Sequence, residues 1–239
     1  MGIDVTDDNQ VLFNNKHQKL INTNIDYNPT TSTVHNIPIH SIYKRVKTKG
    51  RQGDGNPLIY ALKNQKGYRI SKVELKKFLY SFRYILNKLL QDKAYDLIVI
   101  LPSNSTIARG VATRVSRVLG KNIKVQDIFE KQLVDDVIKE IDITIVTNKS
   151  KRKELKRQLS KLQKVDKSKP FSMKNVPPKI REYFNPIRLK YAFDFTPYQN
   201  ILIVDDLLAT GNSIKSARDI IRVKNSQVKI EGLCLFSGL

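Results

Sequence analysis

Asp205 and Asp206 stand side by side at the end of an aliphatic run, Ile201-Leu202-Ile203-Val204. Leu207-Leu208 and then Ala209-Thr210-Gly211-Asn212-Ser213 follow them. Two adjacent carboxylates can accept hydrogen bonds from a vicinal diol, or face a hydrated divalent cation. The small segment after them carries the Thr210 and Ser213 hydroxyls. At Gly211 no Cβ keeps a ligand away from the backbone. Beyond it Ile214, Ala217, Ile220 and Ile221 fall at helical spacing. The segment therefore enters a helix N-terminus, whose free N–H groups and dipole suit a phosphate. A diol beside a phosphate describes a ribose 5-phosphate.

Such residues need a frame. The aliphatic run reads as a strand buried on both faces, as in a parallel sheet, where ligands bind at the carboxyl ends of strands. A second unit has the same form. Leu97-Ile98-Val99-Ile100-Leu101 reads as a buried strand, Pro102-Ser103-Asn104-Ser105-Thr106 as a hydroxyl-rich loop, and Ile107 to Leu119 as a helix stopped by Gly120. The expected fold class is α/β, a mostly parallel sheet flanked by helices.

The run from Ile201 to Ser213 resembles the 5-phosphoribosyl 1-diphosphate (PRPP) binding motif of type I phosphoribosyltransferases. The likeness covers the aliphatic strand, the acidic pair, the two apolar residues and the small-Thr-Gly-x-Ser loop. It implies that Asp205 and Asp206 hold the ribose hydroxyls and, through ribose or water, Mg2+. It also implies that Ala209, Thr210, Gly211, Asn212 and Ser213 cradle the 5-phosphate, and that Ser103, Asn104 and Ser105 meet the diphosphate. Ala108-Arg109-Gly110 is similar to an Arg-Gly pair of the ComF-like branch, which adds Arg109 to the diphosphate set. The aromatic-Asn-Gln that usually follows in that branch is missing. Leu58-Ile59-Tyr60-Ala61-Leu62-Lys63 resembles a short apolar-Lys segment of the same branch. The implied activity is that of a transferase in nucleotide metabolism. Diphosphate leaves C1 of PRPP as a nitrogen acceptor attacks; no general base is obvious, and Asp205 or Asp206 is a candidate for it only beside its role at the diol. Family members often pair, so a homodimer is also implied.

Residues 1–34 are polar and weakly periodic and read as an N-terminal arm; 35–70 read as a hood or substrate-recognition segment, and 71–239 as the core. A strand is expected near Val34 to Tyr43. The hood's polar candidates are Lys44, Arg45, Arg51, Asp54, Asn56 and Tyr60. Ser71-Lys72-Val73-Glu74 has the form of a capping box opening one helix to Leu90, with Val73, Leu75, Phe78, Leu79, Phe82 and Ile85 inward. A helical stretch is expected over 130–140, and Ile143 to Val146 fits a strand or the end of a helical insertion. A last helix to Val223 and a strand over Val228 to Phe236 close the chain.

Between 149 and 181 lie 13 Lys or Arg, opposed only by Glu154 and Asp166. Three readings stay open for this insertion: a lid over the diphosphate, a nucleic-acid-binding face, or a solvated basic helix. Phe171, Tyr183, Phe184, Tyr191, Phe193 and Phe195 could stack on a base or pack. The whole chain of 239 residues carries a formal charge of +21, which attracts nucleic acid or highly phosphorylated ligands. A protein that senses PRPP or a nucleotide beside nucleic acid, or a non-catalytic assembly protein, therefore stands beside the transferase. One cysteine, Cys234, in an apolar stretch reads as core and fits a reducing cytoplasm. One cysteine and three histidines make a zinc site improbable. No apolar run reaches the length of a membrane span. The N-terminal Met-Gly-Ile-Asp-Val-Thr fits the loose myristoylation pattern, which recurs by chance.

Overall fold

Four-residue aliphatic runs with no polar alternation can only be buried on both faces, and they form the middle of the sheet. The computed structural model describes residues 1–46, 56–120 and 123–238. Its strands are β1 (Gly2–Val5), β2 (Gln10–Asn14), β3 (Ile21–Asn22), β4 (Thr30–Val34), β5 (Ile37–Arg45), β6 (Arg69–Ile70), β7 (Leu97–Ile100), β8 (Lys124–Gln126), β9 (Phe129–Lys131), β10 (Ile187–Leu189), β11 (Asn200–Leu207) and β12 (Lys229–Phe236). Its α-helices are α1 (Pro57–Leu62), α2 (Lys72–Lys77), α3 (Leu79–Leu90), α4 (Ile107–Leu119), α5 (Val134–Glu140), α6 (Lys149–Leu162) and α7 (Asn212–Lys224). The main sheet has seven strands. β5, β12, β11, β7 and β8 run parallel in that order, and β3 and β4 pair antiparallel with β5. The expected mixed α/β class, with a mostly parallel sheet flanked by helices, is what the chain forms.

Alternation along the strands sends side chains to two cores. Leu202, Val204, Ile98 and Ile100 join Ile85, Leu86, Val111 and Val115 of α3 and α4. Ile201, Ile203, Leu97 and Val99 join Ile214, Ala217 and Ile221 of α7, with Cys234 sealed among them. Burial pushes the Cys234 thiol up, as suits a core residue.

Residues 1–34 are not an arm. β1, β2 and β6 form a small sheet of their own, and Ile3, Val11 and Ile21 are fully buried in the core shared with α3 and α4. Short strands cut by Asn and Asp turns hid this segment, because a few buried residues suffice when another layer covers them. The same core includes Leu58 and Ile59, so residues 35–70 also pack as part of the body.

The helix expected over 71–90 is broken at Phe78. Ser71 Oγ accepts the Glu74 N–H as a cap should (3.1 Å), but the Glu74 carboxylate turns to the Phe13 N–H (2.8 Å) rather than back to the cap. Phe78 packs edge-on against Phe13, and its carbonyl accepts from Tyr43 and Ser81 hydroxyls. The helix re-aims there, leaving Val73, Leu75 and Leu79 exposed rather than inward.

The insertion folds on a third core. Antiparallel β9 and β10 form its stem, and Leu155, Leu159 and Leu162 of α6 pack on Val134, Val137, Phe171, Val176, Ile180 and Phe184. Phe171 and Phe184 stack on each other with centroids 5.5 Å apart, so these two aromatics pack. Ile143 to Val146 forms a turn with Val146 buried, not a strand.

Candidate functional site

The site begins where β11 outruns its neighbour. β7 ends at Ile100, opposite Val204, and the Leu101 N–H closes on the Val204 carbonyl at 3.0 Å. β11 continues through Asp205, Asp206 and Leu207, paired with β12 on its other edge. The chain after β7 swings away, so the acidic end of β11 is open on that side. Neighbouring strand residues project to opposite faces. Asp205 therefore lies on the side of Ile201 and Ile203, and Asp206 on that of Leu202 and Val204.

Asp206 is only 7% exposed, Asp205 is partly buried, and both line a cavity of about 350 Å3. Asp206 Oδ2 accepts from Ser103 Oγ (2.8 Å) and Ser105 Oγ (3.2 Å) and pairs with Lys63 Nζ (2.7 Å). Asp205 Oδ1 accepts the Asp206 N–H at 2.7 Å. Burial first, and the Asp206 charge second, push the Asp205 carboxyl up to about 7, while the Asp206 N–H and Lys63 pull the other way. One carboxylate is thus paired with an ammonium, and burial holds the other above the usual carboxylate range.

The loop 102–106 delivers Ser103, Asn104 and Ser105 to the same cavity. Thr106 begins α4 without a side-chain cap, so first-turn N–H groups remain for a ligand. Asn104 Oδ1 accepts from Lys131 Nζ at 2.7 Å. Arg109, expected with these residues, shares a neighbouring cavity of about 860 Å3 with Ser103, Asn104 and Ser105, and there it pairs with Asp127, which also holds Lys190. It does not line the smaller cavity of the two carboxylates.

On the other flank of Asp205, Leu207 to Ile214 wrap a small cavity of about 70 Å3 with Met173 and Arg181 from the insertion. Gly211 takes φ +71°, and a Cβ there would meet Val34 Cγ1 at 2.8 Å, so the position demands glycine for its angle and for its space. α7 starts at Asn212, and Gly211 gives it no side-chain cap. Ala209 is exposed, Thr210 and Ser213 are partly exposed, and Asn212 is buried. Ser213 also reaches the larger Asp205–Asp206 cavity.

Several lining residues were not singled out as site residues from the sequence. Lys63 follows α1, whose start is fixed by Asn56 accepting the Leu58 N–H and donating to the Leu20 carbonyl. Lys131 ends β9, and Lys174 lies in the insertion. Burial, then Lys174 and Lys63, hold the Lys131 ammonium below the usual lysine range, with Asp206 opposing. His35, at the tip of the β4–β5 hairpin, sits against the 208–212 turn. Of these, only Lys63 carried a signal, through the apolar segment that precedes it. The expected hood residues do other work. Arg45 is buried and donates to the Ser237 and Leu208 carbonyls, Asn56 caps α1, and Tyr60 stacks on Tyr68. The Lys44 side chain is exposed, while Arg51 and Asp54 lie outside the described residues.

Two uncapped helix starts therefore flank one acidic strand end, with three lysines converging on it. Such an arrangement offers donors for phosphoryl oxygens on both sides, and acceptors for hydroxyls or a hydrated cation between. Searches of the sequence against protein-family models and against curated proteins find no match.

Proposed function

We propose that this chain is a type I phosphoribosyltransferase-like protein. It binds PRPP with Mg2+ and transfers ribose 5-phosphate to a nitrogen acceptor, releasing diphosphate. The observation that carries this reading is the pairing of two loop-to-helix turns, 102–106 and 208–212, across Asp205 and Asp206. The 5-phosphate belongs at the small 208–212 cavity, the ribose hydroxyls at the carboxylates, and the diphosphate by Ser103, Ser105, Lys63, Lys131 and Lys174. In the displacement the C1–O bond to diphosphate breaks as the nitrogen bonds to C1, and positive charge gathers on the sugar. The lysines and loop N–H groups balance the leaving diphosphate, and the carboxylates balance the sugar. Asp205, whose carboxyl burial raises above the usual carboxylate range, also suits the acceptor's departing proton.

The residues fit Mg2+ in its ordinary manner. Among the described residues no cluster of three or more His, Cys, Asp or Glu forms a dedicated cage. Magnesium instead uses one or two carboxylates together with substrate oxygens and water. Asp205 keeps one oxygen beyond the bond to the Asp206 N–H, and that oxygen would face the hydrated ion. The bound cation would supply neutralisation of diphosphate charge.

The test is diphosphate release from PRPP·Mg2+ with a panel of purine, pyrimidine and amine acceptors. Release that depends on one acceptor class is the expected outcome. Binding of PRPP without release under any acceptor would leave the sensing or assembly role of the same pocket. No binding at all removes the pocket's assignment.

A second reading, a nucleic-acid-associated protein, is favoured by one observation. Lys149, Lys153, Lys156 and Lys161 are exposed along α6, with Lys164 exposed just past its end, and among the described residues none has an acidic partner. The leucines of α6 face inward, so this stripe is free of core duties. It runs for about 20 Å of helix. Binding of a single-stranded oligonucleotide should weaken steeply with salt, and K153E with K156E should flatten that slope by about two contacts. A slope unchanged in this variant removes α6 as the interface.

A further inference from the structure

We infer that the larger cavity beside the 102–106 loop, the one lined by Arg109 and Lys190, is a second binding site, for the phosphate groups of a nucleotide. The two cavities share the loop and Lys131, but Asp205, Asp206 and Lys63 do not line the larger one. This site is therefore independent of the phosphoribosyl reading.

The site is built where parallel strands end. Ile100 closes β7 and Asp127 follows β8, so the cavity lies at the carboxyl ends of two neighbouring parallel strands. Ligands of open α/β sheets bind at such ends. The 102–106 loop and the first turn of α4 form one wall, β9 with the segment around β10 forms another, and the insertion adds Lys169, Pro170 and Ser172. At about 860 Å3 the space is in the range of pockets that enclose a whole small molecule.

Charge narrows the ligand. Arg109, Lys131, Lys169, Arg188 and Lys190 line the cavity with two acids, Asp127 and Glu130. Arg188 is satisfied by Glu130 (2.9 Å) and, outside the cavity, by Asp136 (2.8 Å). Asp127 alone then answers both Arg109 and Lys190. Lys131 donates to a neutral amide oxygen, Asn104 Oδ1. Lys169 is exposed and makes no ion pair among the described residues, with Asp166 acting on it only from a distance. Four cations therefore meet one carboxylate.

The four belong to four separate parts of the chain: α4, β9, the insertion and the segment after β10. A lone carboxylate would engage one or two of them, whereas a chain of phosphates offers oxygens to several. The Arg109 guanidinium can also grip phosphate oxygens two at a time. Pro102, Leu133 and Pro170 give the cavity apolar wall as well, which suits the sugar or base of a nucleotide better than a bare inorganic ion. Burial, then Lys174 and Lys63, hold the Lys131 ammonium low, and a bound anion would oppose both effects.

Calorimetric titration of the full chain with adenosine, guanosine, cytidine and uridine 5′-diphosphates tests this, with inorganic triphosphate and a 5′-phosphorylated oligothymidylate as further probes. Lys169→Gln with Lys190→Gln removes two of the surplus charges and keeps the Arg109–Asp127 pair. Wild type should bind at least one nucleotide, and this variant should bind it about tenfold more weakly or worse, with an unchanged urea midpoint and unchanged affinity for ribose 5-phosphate. The Asp205→Asn, Asp206→Asn variant should keep nucleotide affinity within about threefold of wild type. Whether the free nucleotide or the oligonucleotide end binds more tightly names the source, and either must be weakened in the lysine variant. No nucleotide binding by wild type, equal affinity in the lysine variant, loss in the carboxylate variant instead, or inorganic triphosphate bound as tightly as the best nucleotide would overturn the inference and leave the phosphoribosyl reading standing. Nucleotide binding that needs the two lysines, in a protein that takes no PRPP·Mg2+, would uphold this site and remove that reading.

Discussion

Asp205 concentrates the conflict between stability and binding at this site. Its carboxyl is raised in the folded chain, to about 7 from 3.8. A raised acid contributes stability that is whole below the unfolded pKa and lost as pH rises through the folded one. Without ligand, the chain should therefore weaken between about pH 4 and pH 7 on account of this residue. Asp205→Asn should be more stable than wild type at pH 8, by about 1–2 kcal/mol, a discounted share of the shift because Asp205 keeps some exposure. Urea midpoints at pH 5 and pH 8 check it: the gap between variant and wild type should be clearly wider at the higher pH. Lys63 works in the opposite sense. Lys63→Met leaves Asp206, 7% exposed, with two serine donors and no ammonium in direct contact, and should cost about 2–3 kcal/mol. At this scale the sequence was legible where chemistry is local. Asp205, Asp206, Ser103, Ser105 and the 209–213 turn are contiguous signals, and the fold brings them to adjoining cavities. Lys63, Lys131 and Lys174 were not, because three lysines among 43 basic residues carry no mark until the fold gathers them. Arg109 shares a cavity with Ser103, Asn104 and Ser105, the loop it was grouped with, although its guanidinium pairs with Asp127.

At the scale of elements, the parallel strands β7 and β11 were legible because two-sided burial leaves an unbroken aliphatic run. The helix break at Phe78 was not, because its cause lies in Phe13, Tyr43 and Ser81, distant in sequence or hidden behind continuous helical spacing. The sheet also carries a polar clamp far from the candidate site. Glu231 of β12 accepts from Lys93 Nζ (2.9 and 2.8 Å), Tyr95 OH (2.7 Å) and the His40 imidazole (2.8 Å), tying β12 to β5 and to the turn before β7. Burial opposes ionisation of Glu231, but these donors outweigh it and hold the carboxyl down at about 2. A depressed acid gives stability that is full above its unfolded pKa and lost as pH falls through the folded value. Wild type should therefore lose this share between about pH 4.5 and pH 2, and Glu231→Gln should lack it at neutral pH. A constant difference between the two proteins from pH 7 down to pH 3 would refute the clamp.

For the whole molecule, the mixed α/β class was legible and the role of residues 1–34 was not. Polar composition suggests an arm, yet Ile3, Val11 and Ile21 complete the core under α3, and Val34 and His35 brace the 208–212 turn. Ile21→Ala should lower global stability by about 2–4 kcal/mol in a single cooperative transition. A loss confined to the N-terminal segment, leaving the rest of the melt unchanged, would show that segment to be separable. The insertion divides in the same manner. Its charge was visible in the sequence, whereas its third core, and the way Ser172, Met173 and Lys174 reach the acidic strand end, appear only when β9 and β10 pair. All of these parts converge on one question, whether the acidic end of β11 holds the sugar of a phosphoribosyl ligand. Calorimetric titration of PRPP·Mg2+ into wild type and into the Asp205→Asn, Asp206→Asn variant, each shown folded by circular dichroism, answers it. Saturable binding by wild type, with affinity reduced at least a hundredfold in the variant, is the predicted result. Equal affinity in the two proteins, or no binding by either, would contradict it.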